Sequence, residues 1–198
     1  MIDGLSGAGK TTFAKYLGEC LCCPVIHGDD FLFEAVTIQK EDMKEIFGSA
    51  PRNGESGIEF LIRCDNPENI PRHRMLFAKT KDYVEQRFKQ IVDDLCETNP
   101  PDFIVMEWLT SCNLGKTWLE ADYRIMINSD PKQREKILNS IWKNLGRLNE
   151  DVHGVRQQAH SPALENAENV DLNVFNEYDD YLLQHAKSIS KTLKLSLS

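Results

Sequence analysis

Gly4-Leu5-Ser6-Gly7-Ala8-Gly9-Lys10-Thr11-Thr12 is the stretch whose reading decides the fold. It fits G-x-x-x-x-G-K-[ST], the pattern of a loop that cradles phosphates between a strand and a helix. Gly4, Gly7 and Gly9 tolerate positive φ and lack a Cβ, so successive backbone N–H groups can turn inward together. Ser6 and Ala8, within the same loop, are expected among the nucleotide-binding residues. The N–H groups opening the next helix, at Lys10, Thr11 and Thr12, face the same hollow, where the helix dipole favours an anion. Lys10 can reach β- and γ-phosphates, and the Thr11 hydroxyl can hold Mg²⁺. A ligand-free glycine turn would not require the Gly-Lys-Thr-Thr ending or the helical pattern behind it. The stretch is expected to bind a nucleoside triphosphate, ATP, with Mg²⁺.

Working outward, Met1-Ile2-Asp3 reads as the end of a central strand. Such strands usually run about five residues, so further apolar residues are expected upstream of Met1. Behind the loop, Phe13, Ala14, Leu17, Cys20 and Leu21 recur at helical spacing. Pro24–His27 reads as a buried strand, with Gly28–Phe33 as a loop at its carboxyl end. Thr37–Phe47 reads as a short charged helix. The stretch 48–74 has no steady period and is rich in Pro, Gly and Asn, so it is expected to be an irregular excursion on the acceptor side. Lys79–Glu97 carries the apolar stripe Val84, Phe88, Ile91, Val92 and Leu95, and Pro100-Pro101 stops it. Phe103–Met106 and Tyr123–Ile127 read as strands. Ser129-Asp130-Pro131 caps a helix running to about Leu145. Val170–Phe175 and Asp179–Leu193 read as the last strand and helix, and the polar stretch 146–169 as a lid. Strands alternating with helices specify one α/β domain over 1–198, a three-layer α/β/α sandwich with a five-stranded parallel sheet.

Composition bounds the partners. Lys and Arg number 23 against 31 Asp and Glu, a net charge of −8 over 198 residues. That balance argues against a surface for nucleic acid, which needs a basic stripe. No apolar run approaches the length of a membrane span and no targeting leader is evident, so a cytoplasmic protein is expected. Oligomeric state is not readable. Six cysteines occur, at Cys20, Cys22, Cys23, Cys64, Cys96 and Cys112. No second pair with zinc-ligand spacing follows Cys-x-Cys-Cys, so buried reduced thiols are expected.

A phosphate-cradling loop does not name a reaction. The guanine-reading Asn-Lys-x-Asp is absent, which disfavours a regulatory GTPase. Asp29-Asp30 follows the second strand, where parallel sheets place their ligands. One carboxylate there can accept a proton from an acceptor hydroxyl and another can order Mg²⁺, although Asp is also common at helix starts. Glu107 ends an apolar strand where a carboxylate would face metal or acceptor. Cations for the transferring phosphoryl group are sought in Arg134 and Arg147.

These pieces resemble the uridine kinase and nicotinamide riboside kinase family of P-loop small-molecule kinases. The carrying residues are Gly4–Thr12, Val25-Ile26-His27-Gly28-Asp29-Asp30-Phe31, Ile104-Val105-Met106-Glu107 and Asp130-Pro131-Lys132-Gln133-Arg134. The resemblance implies transfer of the γ-phosphate of ATP to a hydroxyl of a small molecule, the 5′-OH of a riboside. It places the general base at Asp29 and a carboxylate near the sugar and Mg²⁺ at Glu107. Thr11, Asp30 and Glu107 are the expected metal ligands; Phe31, Phe33 or Trp108 can stack on the acceptor's ring, core packing being the other reading for at least one of them. Trp108 stands where that family usually has glycine. Adenylylsulfate kinases spell the phosphate loop in the same way, but their Asp-Gly-Asp is here Gly28-Asp29-Asp30. A nucleotide-binding sensor or scaffold without catalysis is the alternative from another class.

Overall fold

Ile2 sets the register of the sheet. The strands are β1 (Ile2–Gly4), β2 (Val25–His27), β3 (Val105–Glu107), β4 (Ile125–Ser129) and β5 (Leu172–Asn176), and Ile2 lies opposite Glu107 on one side and Ile125 on the other. All pairings are parallel and the order is β2-β3-β1-β4-β5, so the strand feeding the phosphate loop is central. The computed structural model describes residues 1–64, 67–109, 116–144 and 169–196.

The helices are α1 (Lys10–Leu21), α2 (Gly28–Ile38), α3 (Lys40–Phe47), α4 (Gly57–Arg63), α5 (Ile70–Thr98), α6 (Lys116–Leu119), α7 (Pro131–Asn144) and α8 (Tyr181–Ser196). Parallel strands need crossovers that cover both sheet faces, and two separate cores result. On one face Phe13, Ala14 and Leu17 of α1 and Leu182, Ala186 and Ile189 of α8 close over Ile2, Ile125, Ile127 and Val174. On the other, Phe31, Val36, Met43, Phe60, Val84, Phe88 and Trp108 gather from α2 to α5 and the residue after β3. Burying each such side chain stabilises by about 1.5–3 kcal/mol, so each layer is held firmly to the sheet. The three-layer α/β/α architecture expected from the alternation of elements is present. No helix among the described residues is long and apolar enough to cross a membrane.

The reading of 48–74 as an irregular excursion is corrected. The segment contains α4, a single 3₁₀ turn (Pro67–Asn69) and the start of α5. Ser56 and Glu59 form a reciprocal capping box at α4: the Glu59 amide donates to Ser56 Oγ at 3.3 Å, and the Ser56 amide to Glu59 Oε2 at 2.8 Å. Pro71 sits in the first turn of α5, where its missing N–H costs nothing. Arg63 then pins α4 back through a charge-assisted pair with Glu55 at 2.8 Å, which holds the Glu55 carboxyl down at about 2. Here proline opens a helix and glycine ends one, at Pro71 and Gly48.

The helix expected over Thr37–Phe47 is divided, since α2 runs on to Ile38 and α3 starts at Lys40. The cysteines also differ from expectation. Those described are free thiols, but only Cys64 is buried: Cys22 and Cys96 are exposed, and Cys20 and Cys23 half-buried. Cys22 takes φ 55° as the cap that ends α1, which turns it away from the core. Cys112 lies outside the described residues.

Layer packing positions α2, because the ring of Phe31 meets Phe88 of α5 edge-to-face at 5.2 Å. Phe88 is fully buried. Phe88→Ala is therefore expected to destabilise the fold by about 3–5 kcal/mol, measured by urea denaturation.

Candidate active site

The phosphate loop lies where the central strand meets α1. Asp3, fully buried one residue before the loop, accepts a hydrogen bond from the Gly4 amide at 2.6 Å and fixes how the chain leaves β1. Gly7 and Gly9 have φ of 77° and 100°, the left-handed region the sequence reading required. Within the loop the carbonyl of Leu5 accepts from the Ala8 amide at 3.0 Å and from Lys10 Nζ at 3.2 Å. Lys10 is thereby folded into the concavity with only 8% of its surface exposed. The Gly9 carbonyl accepts from the Phe13 amide at 2.9 Å, the first bond of α1. The amides of Lys10, Thr11 and Thr12, one turn too early for a helical partner, are left to an anion.

Beside the loop stands Glu107, at the carboxyl end of β3 and 4% exposed. Its Oε1 accepts from the Thr11 hydroxyl at 3.2 Å and from Nδ1–H of His27, at the end of β2, at 2.7 Å. A carboxylate this deep requires such donors to offset its desolvation. The sheet register brings them together, since His27 lies opposite Glu107 in the β2–β3 ladder. A cleft of about 600 Å³, lined by Thr11, Thr12, Lys15, Cys22 and His27 among others, runs from this cluster along α1. A second cavity of about 1180 Å³ is lined by Phe103, Ile104, Tyr123 and neighbours at the amino ends of the strands. Parallel sheets bind their ligands at the opposite end, so its size does not make it the site.

Arg134 reaches the loop from α7. Asp130 caps that helix as expected, accepting from the Gln133 amide at 2.9 Å. A Cβ built on Gly7 would come within 3.1 Å of Arg134 Cγ, so the arginine stem lies against the loop. Arg134 is 7% exposed, and its Nε has no hydrogen-bond partner among the described residues. An unpaired buried donor on a cation is costly, which suits a site that takes an anion.

The expected site residues fall into groups. Lys10, Thr11, Glu107 and Arg134 surround one loop. Asp29 and Asp30 occupy the exposed first turn of α2 rather than a loop, because the helix begins directly at Gly28. Asp30 forms no hydrogen bond with Thr11 or Glu107 in the described structure. Phe31 and Trp108 are 6% and 2% exposed and pack in the core, the other reading given for such rings. The Phe31 ring is taken up by Phe88 and by the Arg87 guanidinium 5.6 Å from its centroid, and Trp108 lies under Gly28 and beside Phe77. Arg147 and nearly all of the lid stretch 146–169 lie outside the described residues. Sequence reading missed His27, Asp3 and two residues of the β5–α8 corner, Asn176 and Tyr178. His27 carried one available signal, the same strand-end position as Glu107.

The donors present fit Mg²⁺, a hard ion bound by a hydroxyl, one or two carboxylates and substrate phosphates rather than by an all-protein cage. Thr11 and Glu107 are such donors. No cluster of three or more His, Cys, Asp or Glu suited to a metal occurs among the described residues.

No protein-family model and no curated protein matches the sequence. Solved structures do share its fold. TT1252 from Thermus thermophilus aligns over 100% of this chain and 96% of its own, with TM-score 0.66 and 20% identity. Dephospho-CoA kinase from Campylobacter jejuni aligns over 100% and 97%, at 0.59 and 14%. Shikimate kinase from Bacteroides thetaiotaomicron aligns over 97% and 95%, at 0.50 and 13%. At these identities the likeness establishes the fold and nothing finer.

The geometry predicts that Lys10→Ala will abolish measurable binding of MgATP by isothermal titration calorimetry while the circular dichroism spectrum stays that of the parent.

Proposed function

We propose that this protein is an ATP-dependent kinase that transfers the γ-phosphate to a hydroxyl of a small molecule, the 5′-OH of a riboside. The observation that carries the reading is the buried Glu107 carboxylate tied to the Thr11 hydroxyl at 3.2 Å, beside the folded-in Lys10. A strand-end carboxylate hydrogen-bonded to the phosphate-loop hydroxyl is what a magnesium–nucleotide site requires. Two structures that share the fold are named as small-molecule kinases, which supports the reaction class.

Thr11 and Glu107 would hold Mg²⁺, which would supply positive charge to offset that of the phosphates. Lys10 exchanges its bond to the Leu5 carbonyl for phosphate oxygens. Arg134, lying against Gly7, brings a second cation to the same group. His27 keeps Glu107 oriented through the 2.7 Å bond at its Oε1. Asp29, on the first turn of α2, receives the proton of the acceptor hydroxyl. Because the transition state is loose, that carboxylate chiefly aims the hydroxyl, and proton transfer comes late. The riboside assignment rests on the resemblance of Val25–Phe31 and Glu107 to riboside kinases and on the carboxylates that could hold sugar hydroxyls. The segment 48–74, of which α4 packs against α2, is proposed to flank the acceptor.

An acceptor screen with MgATP, reading ADP release, tests the proposal: turnover is expected with nicotinamide riboside, uridine or cytidine. Asp29→Asn should then lower kcat by about 10²-fold or more while leaving ATP affinity near normal. Nucleotide binding without turnover across the panel would instead identify a sensor or scaffold.

A further inference from the structure

The outer wall of the phosphate loop is built from the far end of the chain. Asn176, the last residue of β5 and 2% exposed, donates from Nδ2 to the Ala8 carbonyl at 2.9 Å. Two residues on, the Tyr178 hydroxyl donates to the Gly7 carbonyl at 3.0 Å. The two are locked together, since the Tyr178 amide donates to Asn176 Oδ1 at 2.8 Å. Tyr178 has φ 62°, a left-handed conformation that is a genuine outlier for a bulky side chain. Such strain persists only where surrounding contacts over-determine it, and it clusters at functional sites. Burial pushes the phenol above its ordinary pKa, so Tyr178 remains a hydroxyl donor throughout the neutral range. Contact is close enough that a Cβ on Gly9 would come within 2.6 Å of Asn176 Nδ2.

The consequence follows from peptide geometry. In a planar trans peptide the C=O of one residue and the N–H of the next point in opposite directions. Drawing the Ala8 carbonyl outward to Asn176 turns the Gly9 amide inward, while the Tyr178 bond to the Gly7 carbonyl fixes the preceding peptide, whose Ala8 amide closes the turn onto the Leu5 carbonyl. We infer that Asn176 and Tyr178 are positioning residues of the phosphate loop: Asn176 aims the Gly9 amide at a bound polyphosphate, and Tyr178 holds both Asn176 and the Gly7 peptide in the place that this requires. Neither side chain touches the phosphate itself. The inference rests on the phosphate-binding reading of the loop and assigns a role the loop motif does not contain.

The test measures binding of a fluorescent ATP analogue, with displacement by inorganic tripolyphosphate and by adenosine, for the parent chain, Tyr178→Phe and Asn176→Ala. Tyr178→Phe keeps the ring and removes the hydroxyl. It is expected to weaken the ATP analogue and tripolyphosphate by roughly three- to tenfold, the worth of one hydrogen bond. Adenosine displacement and melting temperature should stay near the parent's. Asn176→Ala should show the same selectivity for phosphate-bearing ligands, and if it fails to fold, Tyr178→Phe decides alone. Unchanged tripolyphosphate affinity in Tyr178→Phe would overturn the positioning role while leaving the loop's phosphate binding intact. Equal weakening toward adenosine and tripolyphosphate, with a lowered melting temperature, would also overturn it by showing a purely structural contact. A parent chain that binds neither the ATP analogue nor tripolyphosphate would remove the phosphate-binding reading and this inference together.

Discussion

One oxygen of Glu107 ties the molecule's parts together. It receives a hydrogen bond from Thr11 at the head of α1 and another from His27 at the end of β2. A carboxylate withdrawn from water costs several kcal/mol unless paired, so these bonds are a condition of folding as well as of chemistry. They also fix relative positions. The phosphate loop, the strand that precedes α2 and the tip of β3 cannot separate without exposing or stranding that charge.

The sheet makes this arrangement possible. β1 lies between β3 and β4, so the chain that leaves Gly4 emerges beside the Glu107 side chain. Each face is then sealed by its own aliphatic and aromatic cluster. Parallel strands deliver all their carboxyl ends to one rim, and the hydrogen-bonded residues Thr11, His27, Glu107, Asn176 and Tyr178 collect there. The cavity at the opposite rim shares none of these groups.

What could be read in advance divides along sequence distance. The loop Gly4–Thr12, the strand ending in Glu107 and the Asp130 cap all announce themselves within a few residues, and the structure bears them out. Helices α4 and the start of α5 were illegible, because Gly57, Pro67 and Pro71 resemble breaks until the capping box at Ser56 and Glu59 is seen. For Phe31 and Trp108 both stacking and core packing were open, because aromatic identity says nothing of which side of a helix or sheet is covered. Asn176 and Tyr178 were beyond any local reading, since each meets the loop from 168 and 171 residues away. Such pairings exist only after the sheet has formed.

The Arg63–Glu55 pair and the capped α4 have a wider implication. Instead of a pliable loop, the ground next to α2 is short helices seated on the Phe47, Phe60 and Phe88 rings. Relatives of this chain could not broaden or narrow that flank merely by gaining or losing loop residues. They would have to exchange individual side chains on fixed scaffolding, so divergence in ligand choice would be recorded as point changes against a constant backbone length.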